Sequence, residues 1–162
     1  MIRNATVEDA EVIAKIHVQT WHEAYRGIVP AEYLADLSEE KRTVFWRQEL
    51  SAGRSTTLVA LSGREIVGWV SGGLSQDDGT EAGGEVYAIY VAPSFWRRGV
   101  GRELMKKIEE TLPDPVVLWV LAENQSACQF YERLGYRRDG GEKKADFGSV
   151  SLSEIRLRKK AH

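Results

Sequence analysis

The segment EVYAIYVAPSFWRRGVGREL (Glu85 to Leu104) holds residues suited to binding an anion. An apolar strand runs into two arginines and then into Gly99 and Gly101 where a helix should begin. The first N–H groups of a helix lack internal partners, and its macrodipole places about half a positive charge there. Glycine lets a ligand approach the backbone closely. Arg97, Arg98 and Arg102 add positive charge. Together these features suit phosphate, the usual guest of such a site. A glycine turn flanked by solvated arginines is the plain alternative, and on this stretch alone both stand. Two phosphate motifs are excluded. Leu104 occupies the place of the third glycine of a dinucleotide fingerprint, and no Gly-Lys-Ser/Thr closes a Walker A loop.

A second stretch, NQSACQFYERLGYR, begins at Asn124. EVYAIYV, then WRRGVG, then a buried strand, then Asn124, Ala127 and FYERLGY, taken in that order, resemble the GNAT (Gcn5-related N-acetyltransferase) superfamily. The loop of that family usually reads Gln/Arg-x-x-Gly-x-Gly/Ala. Here Gly99 and Gly101 match, while Trp96 departs at the first position. The resemblance covers most of the chain. It implies acetyl-CoA as co-substrate and transfer of its acetyl group to a primary amine of a small molecule or peptide, by direct attack in a ternary complex. It implies that Arg97, Arg98, Gly99, Val100, Gly101 and Arg102 hold the pyrophosphate. Ile89, Tyr90 and Val91 would offer backbone to pantetheine beside a strand bulge, and Asn124 would hydrogen-bond the same arm. A bulge makes sense there, because it ends regular pairing where a ligand must enter.

Acetyl transfer needs a neutral amine, a donor for the developing oxyanion and a proton for the departing thiolate. By the resemblance, Tyr131 stands at the family's general acid. Beside Phe130 and Leu134 it also reads as a tyrosine packed on the sheet. Glu85 opens the strand before the phosphate loop, where several family members place a general base. An exposed strand-end glutamate is the competing reading. In the branch that acetylates ribosomal protein termini an acid stands five before the asparagine; Trp119 stands there here, which counts against that substrate class. Family precedent puts Trp21, His22, Tyr25 and Arg26 on the acceptor wall. Spaced four apart on one helical face, Trp21 and Tyr25 equally suit the core. Cys128 suits a small buried position better than a nucleophile. His17 and His22 are out of phase for a metal pair, and no metal is expected. A non-catalytic acyl-CoA sensor and a protein-terminus or lysine acetyltransferase are the competing functions.

These groups need a scaffold, and the chain supplies its parts. IRNAT reads as a strand, and Thr6 three before Asp9 as a capping-box start for a helix carrying Ile13, Ile16, Trp21 and Ala24. Gly27 and Pro30 break it. AEYLADL and SEEKRTVFWRQEL follow as helices, the second capped by Ser38 with Val44, Phe45 and Leu50 as its apolar side. TTLVAL and EIVGWVSGG form a hairpin about Ser62-Gly63-Arg64. LSQDDGTEAGG reads as a polar loop whose acids, Asp77 to Glu81, could face a cationic acceptor but more simply meet solvent. Val100, Leu104, Ile108 and Leu112 mark a helix, VVLWVL a buried strand, and Asn124 to Gly135 a capped helix. A last hairpin joins YRRDGGE to SVSLSEIRLR. The expected fold is α/β (α+β), with a mixed, mostly antiparallel sheet of about six to seven strands and helices on both faces.

The 162 residues suffice for a single domain with its own core. At 43% hydrophobic and 28% charged the chain is not disordered. A net charge of −2 gives no global field for nucleic acid. One cysteine permits neither an internal disulfide nor a cysteine-based zinc cluster, and fits a reducing compartment. The amino terminus carries acids where a signal peptide would carry bases, and no stretch approaches the roughly 20 apolar residues of a membrane span. A cytoplasmic protein is the expectation. The family habit adds a possible homodimer.

Overall fold

In the computed structural model, residues 1–77 and 83–160 are described. Of the polar loop, Asp78 to Ala82 therefore lie outside the described residues. Among the described residues seven strands form one sheet in the order β1-β2-β3-β4-β5-β7-β6. They are β1 (Ile2–Asn4), β2 (Thr56–Ser62), β3 (Glu65–Leu74), β4 (Gly84–Val91), β5 (Val116–Leu121), β6 (Arg137–Phe147) and β7 (Val150–Lys159). Every adjacent pair is antiparallel except β4 and β5. Among the described residues five α-helices accompany the sheet: α1 (Ala10–Ala24), α2 (Ala31–Ala35), α3 (Glu39–Ala52), α4 (Val100–Glu109) and α5 (Gln125–Arg133). This is the mixed, helix-covered sheet expected from the sequence.

Alternation along the strands feeds both faces of the sheet. On one face Val70, Val86, Leu118 and Leu157 pack with Leu104, Met105 and Ile108 of α4, while α5 adds Phe130 and Tyr131 and its C-cap Leu134 joins them. On the other, Val59 and Trp69 pack with Ile13, Ala14 and Ile16 of α1 and Trp46 of α3. A third cluster joins Val29, Leu34, Leu121 and Phe147 beside the end of α1.

Local signals act as their chemistry requires. Thr6 and Asp9 make the capping box, and the Arg3 guanidinium pairs with the Asp9 carboxylate at 2.7 Å. Ser38 accepts from the Lys41 N–H at 3.2 Å and starts α3. Helix α3 corrects one expectation. Val44 and Phe45 are 53% and 42% exposed, whereas Thr43 and Trp46 are buried. Trp46 meets Trp69 edge-on at 4.7 Å, and that contact sets the rotation of the helix.

Candidate functional site

The central event is the parting of two strands. Parallel pairing of β4 with β5 covers only Gly84–Val86 of β4, against Val116–Leu118 of β5. Beyond Val86 the β5-facing edge of β4 is unpaired. On its other edge β4 pairs with β3, and the register slips between Ser71↔Ala88 and Gly72↔Val86, so Tyr87 is the extra residue of a bulge. The Ala92 N–H donates to Val67 of β3 at 2.8 Å. Antiparallel alternation then turns the peptide groups of Tyr90 toward β3, opposite Trp69, and those of Ile89 and Val91 toward the gap.

Not all of that edge is free. The Val91 carbonyl accepts from the Trp96 indole N–H at 2.6 Å and from the Thr20 hydroxyl at 3.4 Å. The unusual Trp96 thus ties the loop back to the strand it leaves.

At the mouth of the gap stands the start of α4. Its N-cap is Gly99, at φ 84° and without a side-chain cap. This left-handed geometry favours glycine. Arg97, at φ 62°, is the one non-glycine residue with positive φ among the described residues. Gly101 is needed for closeness: a Cβ there would come within 3.1 Å of Phe130 in α5 and 3.7 Å of Val91. Helix α4, helix α5 and the end of β4 therefore meet at this point. Glu103, exposed, is the acid of the first turn.

Asn124 caps α5, its side-chain oxygen accepting from the Ala127 N–H at 3.2 Å. That leaves its amide N–H groups for another partner. Tyr131, half-buried, lies 5.2 Å from the Phe130 ring and 6.1 Å from Tyr136. Burial, then the neighbouring Tyr90 and Cys128, hold its phenol above the ordinary tyrosine range, so it stays protonated at neutral pH. Tyr25 of α1 comes to the same place. Its phenol is also raised, first by burial and then by the neighbouring Tyr90 and Tyr131, with the nearby Asn124 amide opposing the rise. The Trp21 indole N–H donates to the Tyr90 hydroxyl at 2.9 Å. Three phenols, an indole and an amide thus converge from α1, β4 and α5. Sequence reasoning placed Tyr25, Tyr90 and Tyr131 in three separate roles and missed this meeting.

Two acceptor-wall expectations are not brought there. Arg26 is exposed and pairs with Glu23 at 3.3 Å. His22, one residue after Trp21, is turned by about 100° around the helix.

Glu85 is 7% exposed, which removes the exposed strand-end reading. One carboxylate oxygen accepts from the Gln76 N–H at 3.0 Å. Burial raises its pKa above the ordinary glutamate value; the Gln76 N–H opposes this, Asp77 adds to it, and Lys143 and Arg156 oppose it. The same surroundings hold Trp119, whose N–H donates to Asp77 at 2.9 Å beneath the Lys143 ammonium, 4.2 Å from the ring. Cys128 is half-buried with its thiol pKa raised, first by burial, which suits packing rather than nucleophilic attack. Among the described residues no group of three or more His, Cys, Asp or Glu side chains is placed to hold a metal ion. No helix among them is long and apolar enough to cross a membrane.

The uncapped α4 start with its arginines, the unpaired Ile89 edge and the Asn124 amide fit a long diphosphate ligand with an amide-bearing tail. The Val91 carbonyl, already occupied, is the one part of that edge that does not.

Comparison with known proteins agrees with this geometry. The acetyltransferase (GNAT) family matches residues 18–136. An uncharacterized N-acetyltransferase of Bacillus subtilis, YuaI, is 30% identical over 96% of this chain and 90% of its own length. A probable N-acetyltransferase of Mycobacterium tuberculosis is 28% identical over 86% and 80%. Among solved structures, the PaiA N-acetyltransferase of Thermoplasma acidophilum in complex with coenzyme A superposes with a TM-score of 0.74 at 21% identity, covering 99% of this chain and 98% of that one. YncA of Salmonella typhimurium, a putative acetyltransferase with its cofactor acetyl-CoA, superposes with a TM-score of 0.71 at 18% identity, covering 100% and 94%.

Proposed function

Since the chain belongs to the acetyltransferase (GNAT) family, we propose that it acts as a single domain that moves an acetyl group from acetyl-CoA to a primary amine by direct attack, both substrates bound together. The observation that carries this reading is the parting of β4 from β5 beyond Val86, with the uncapped α4 start at its mouth and the Tyr25–Tyr90–Tyr131–Asn124 cluster beside it.

When bound, acetyl-CoA supplies an acetyl group activated as a thioester. The N–H groups at Gly99–Arg102 hold its diphosphate, and Arg97, Arg98 and Arg102 add charge. Ile89 offers its N–H and carbonyl to the pantetheine amides, with Val91 contributing its N–H. Tyr90 takes part through its hydroxyl, because its peptide groups are spent on β3. Asn124 donates its amide to the same arm. An N–H near the bulge polarises the thioester carbonyl. Glu85 draws a proton from the incoming ammonium, directly or through water. Tyr131, kept protonated by burial, gives its proton to the departing sulfur. Trp21 and Tyr25 bound the acceptor side. Much of the acceleration comes from holding both reactants in register, worth on the order of 7–11 kcal/mol in well-oriented systems.

Thiol release across a panel of amines tests this reading. Tyr131→Phe is expected to lower turnover by about a hundredfold and to leave calorimetric acetyl-CoA affinity within a factor of a few. A large loss of donor affinity at normal turnover would remove Tyr131 from the acid role. Donor binding without turnover on any amine would make the protein an acyl-CoA sensor.

A further inference from the structure

On the α1/α3 face of the sheet, a cavity of about 570 Å³ lies between α3 and strands β3 and β4. Its volume is that of a small-molecule site. Gln76, Tyr87 and Ala88 form the wall toward the bulge, and the Gln76 N–H is the one that caps Glu85. The cavity therefore ends against the group assigned as base.

Three features of the wall point to an occupant. First, Arg42 is half-buried on it and has no carboxylate partner among the described residues; its guanidinium lies 5.7 Å from the Phe45 ring. The other guanidinium of the wall, Arg54, is paired with Glu49 at 3.0 Å. Second, His17 and Trp46 contribute to the wall, and both are more than nine-tenths buried. Neither ring nitrogen of His17 nor the Trp46 indole N–H has a hydrogen-bond partner. Buried polar atoms without partners are costly in a folded protein and are commonly satisfied by a bound group. Burial, then the Arg42 charge, pulls the His17 pKa down to about 3, so at neutral pH the ring is a neutral donor and acceptor. Third, four aromatic side chains, Phe45, Trp46, Trp69 and Tyr87, line the wall together with the small Ser55, Ser71 and Ala88.

A free guanidinium selects a carboxylate, which it can grip with two parallel hydrogen bonds. Aromatic walls select a flat or apolar body. A polyamine or an aminoglycoside would meet Arg42 as a like charge. We propose that the acceptor is an amine that also carries a carboxylate on an aromatic or apolar body, with the carboxylate on Arg42, the body against the aromatic wall of Phe45, Trp46 and Tyr87, and the amine toward Glu85. This inference rests on the acetyltransferase reading above and narrows its substrate class.

The test uses matched pairs: phenylalanine against phenethylamine, and 4-(aminomethyl)benzoate against benzylamine, with spermidine as a third arm. The carboxylated member of at least one pair should exceed its partner by tenfold or more in kcat/KM, and Arg42→Met should collapse that ratio toward one while Arg42→Lys restores part of it. Calorimetric titration of the same compounds into wild-type and Arg42→Met protein gives a readout free of turnover, with a matching loss of affinity expected. Preference for spermidine or for the decarboxylated members, or an Arg42→Met ratio equal to wild type, would overturn the substrate class and leave the acetyltransferase reading intact. Absence of donor binding would instead defeat the acetyltransferase reading itself.

Discussion

Glu85 links burial to chemistry at a single carboxylate. Its folded pKa is raised above the ordinary glutamate value, mainly by burial. A group of that kind contributes stability that is fully present below its unfolded pKa and is lost as pH rises through the folded value. At neutral pH an ionised Glu85 therefore costs stability, a cost that the proposed base role accounts for. Glu85→Gln keeps an oxygen for the Gln76 N–H and removes the charge. Its thermal midpoint at pH 7 should equal or exceed that of the wild type, and the two should converge near pH 4. Turnover should fall by about 10²–10⁴-fold, and the decline of the wild-type rate toward acid pH should disappear from the residual activity. A variant that melts well below wild type at pH 7 while turning over normally would make Glu85 a structural residue.

Strand β4 carries two expectations at the scale of an element. Backbone alternation assigns the Ile89 and Val91 amides to the gap and the Tyr90 amide to β3. Amide hydrogen exchange, read residue by residue, should then find Tyr90 protected in the free protein. Ile89 should be open and gain protection when coenzyme A is added. Equal protection of Ile89 before and after would remove the donor from this edge. The bulge was named from family resemblance, because the sequence of β4 reads simply as an apolar strand. Which residues face the gap needed the register with β3, including the slip at Tyr87, which no local pattern along β4 announces. Helix α3 shows a similar limit. Thr43 is buried because its hydroxyl bonds back to the Glu39 carbonyl at 2.7 Å, and Trp46 because Trp69 waits on β3. Nothing local distinguishes that face from Val44 and Phe45. His17 was weighed only against His22 for a metal; its ring is enclosed by Trp21, Trp69 and Tyr90, two of which arrive from strands. The loop glycines, the Asn124 cap and the hairpins were legible, since each is decided within a few residues.

Over the whole molecule, the gap divides the sheet. Strands β1–β4 with α1, α3 and α4 stand on one side, and β5–β7 with α5 on the other. Three residue pairs join β4 to β5. The Glu109 carboxylate reinforces the join, accepting from the Tyr136 hydroxyl at 2.6 Å and the Lys159 ammonium at 3.0 Å. Trp119 and Asp77 add a second tie at the other end. A ligand that occupies the gap touches both sides at once and adds its binding free energy to the folded state alone. At a hundred times its dissociation constant that is about 2.7 kcal/mol, which for a chain of this size raises the thermal midpoint by about 5–10 °C. The chain as a whole is negative, at −2, while Arg97, Arg98 and Arg102 gather at the mouth of the gap. The attraction for a polyphosphate is therefore local and partly exposed, and salt should screen it. Coenzyme A at a fixed concentration is expected to raise the midpoint at about 0.05 M salt and to raise it less at about 0.5 M, with Arg98→Ala reducing the difference between the two. A midpoint unmoved by saturating coenzyme A would place the donor elsewhere, and a shift indifferent to salt would take the arginines out of the phosphate site.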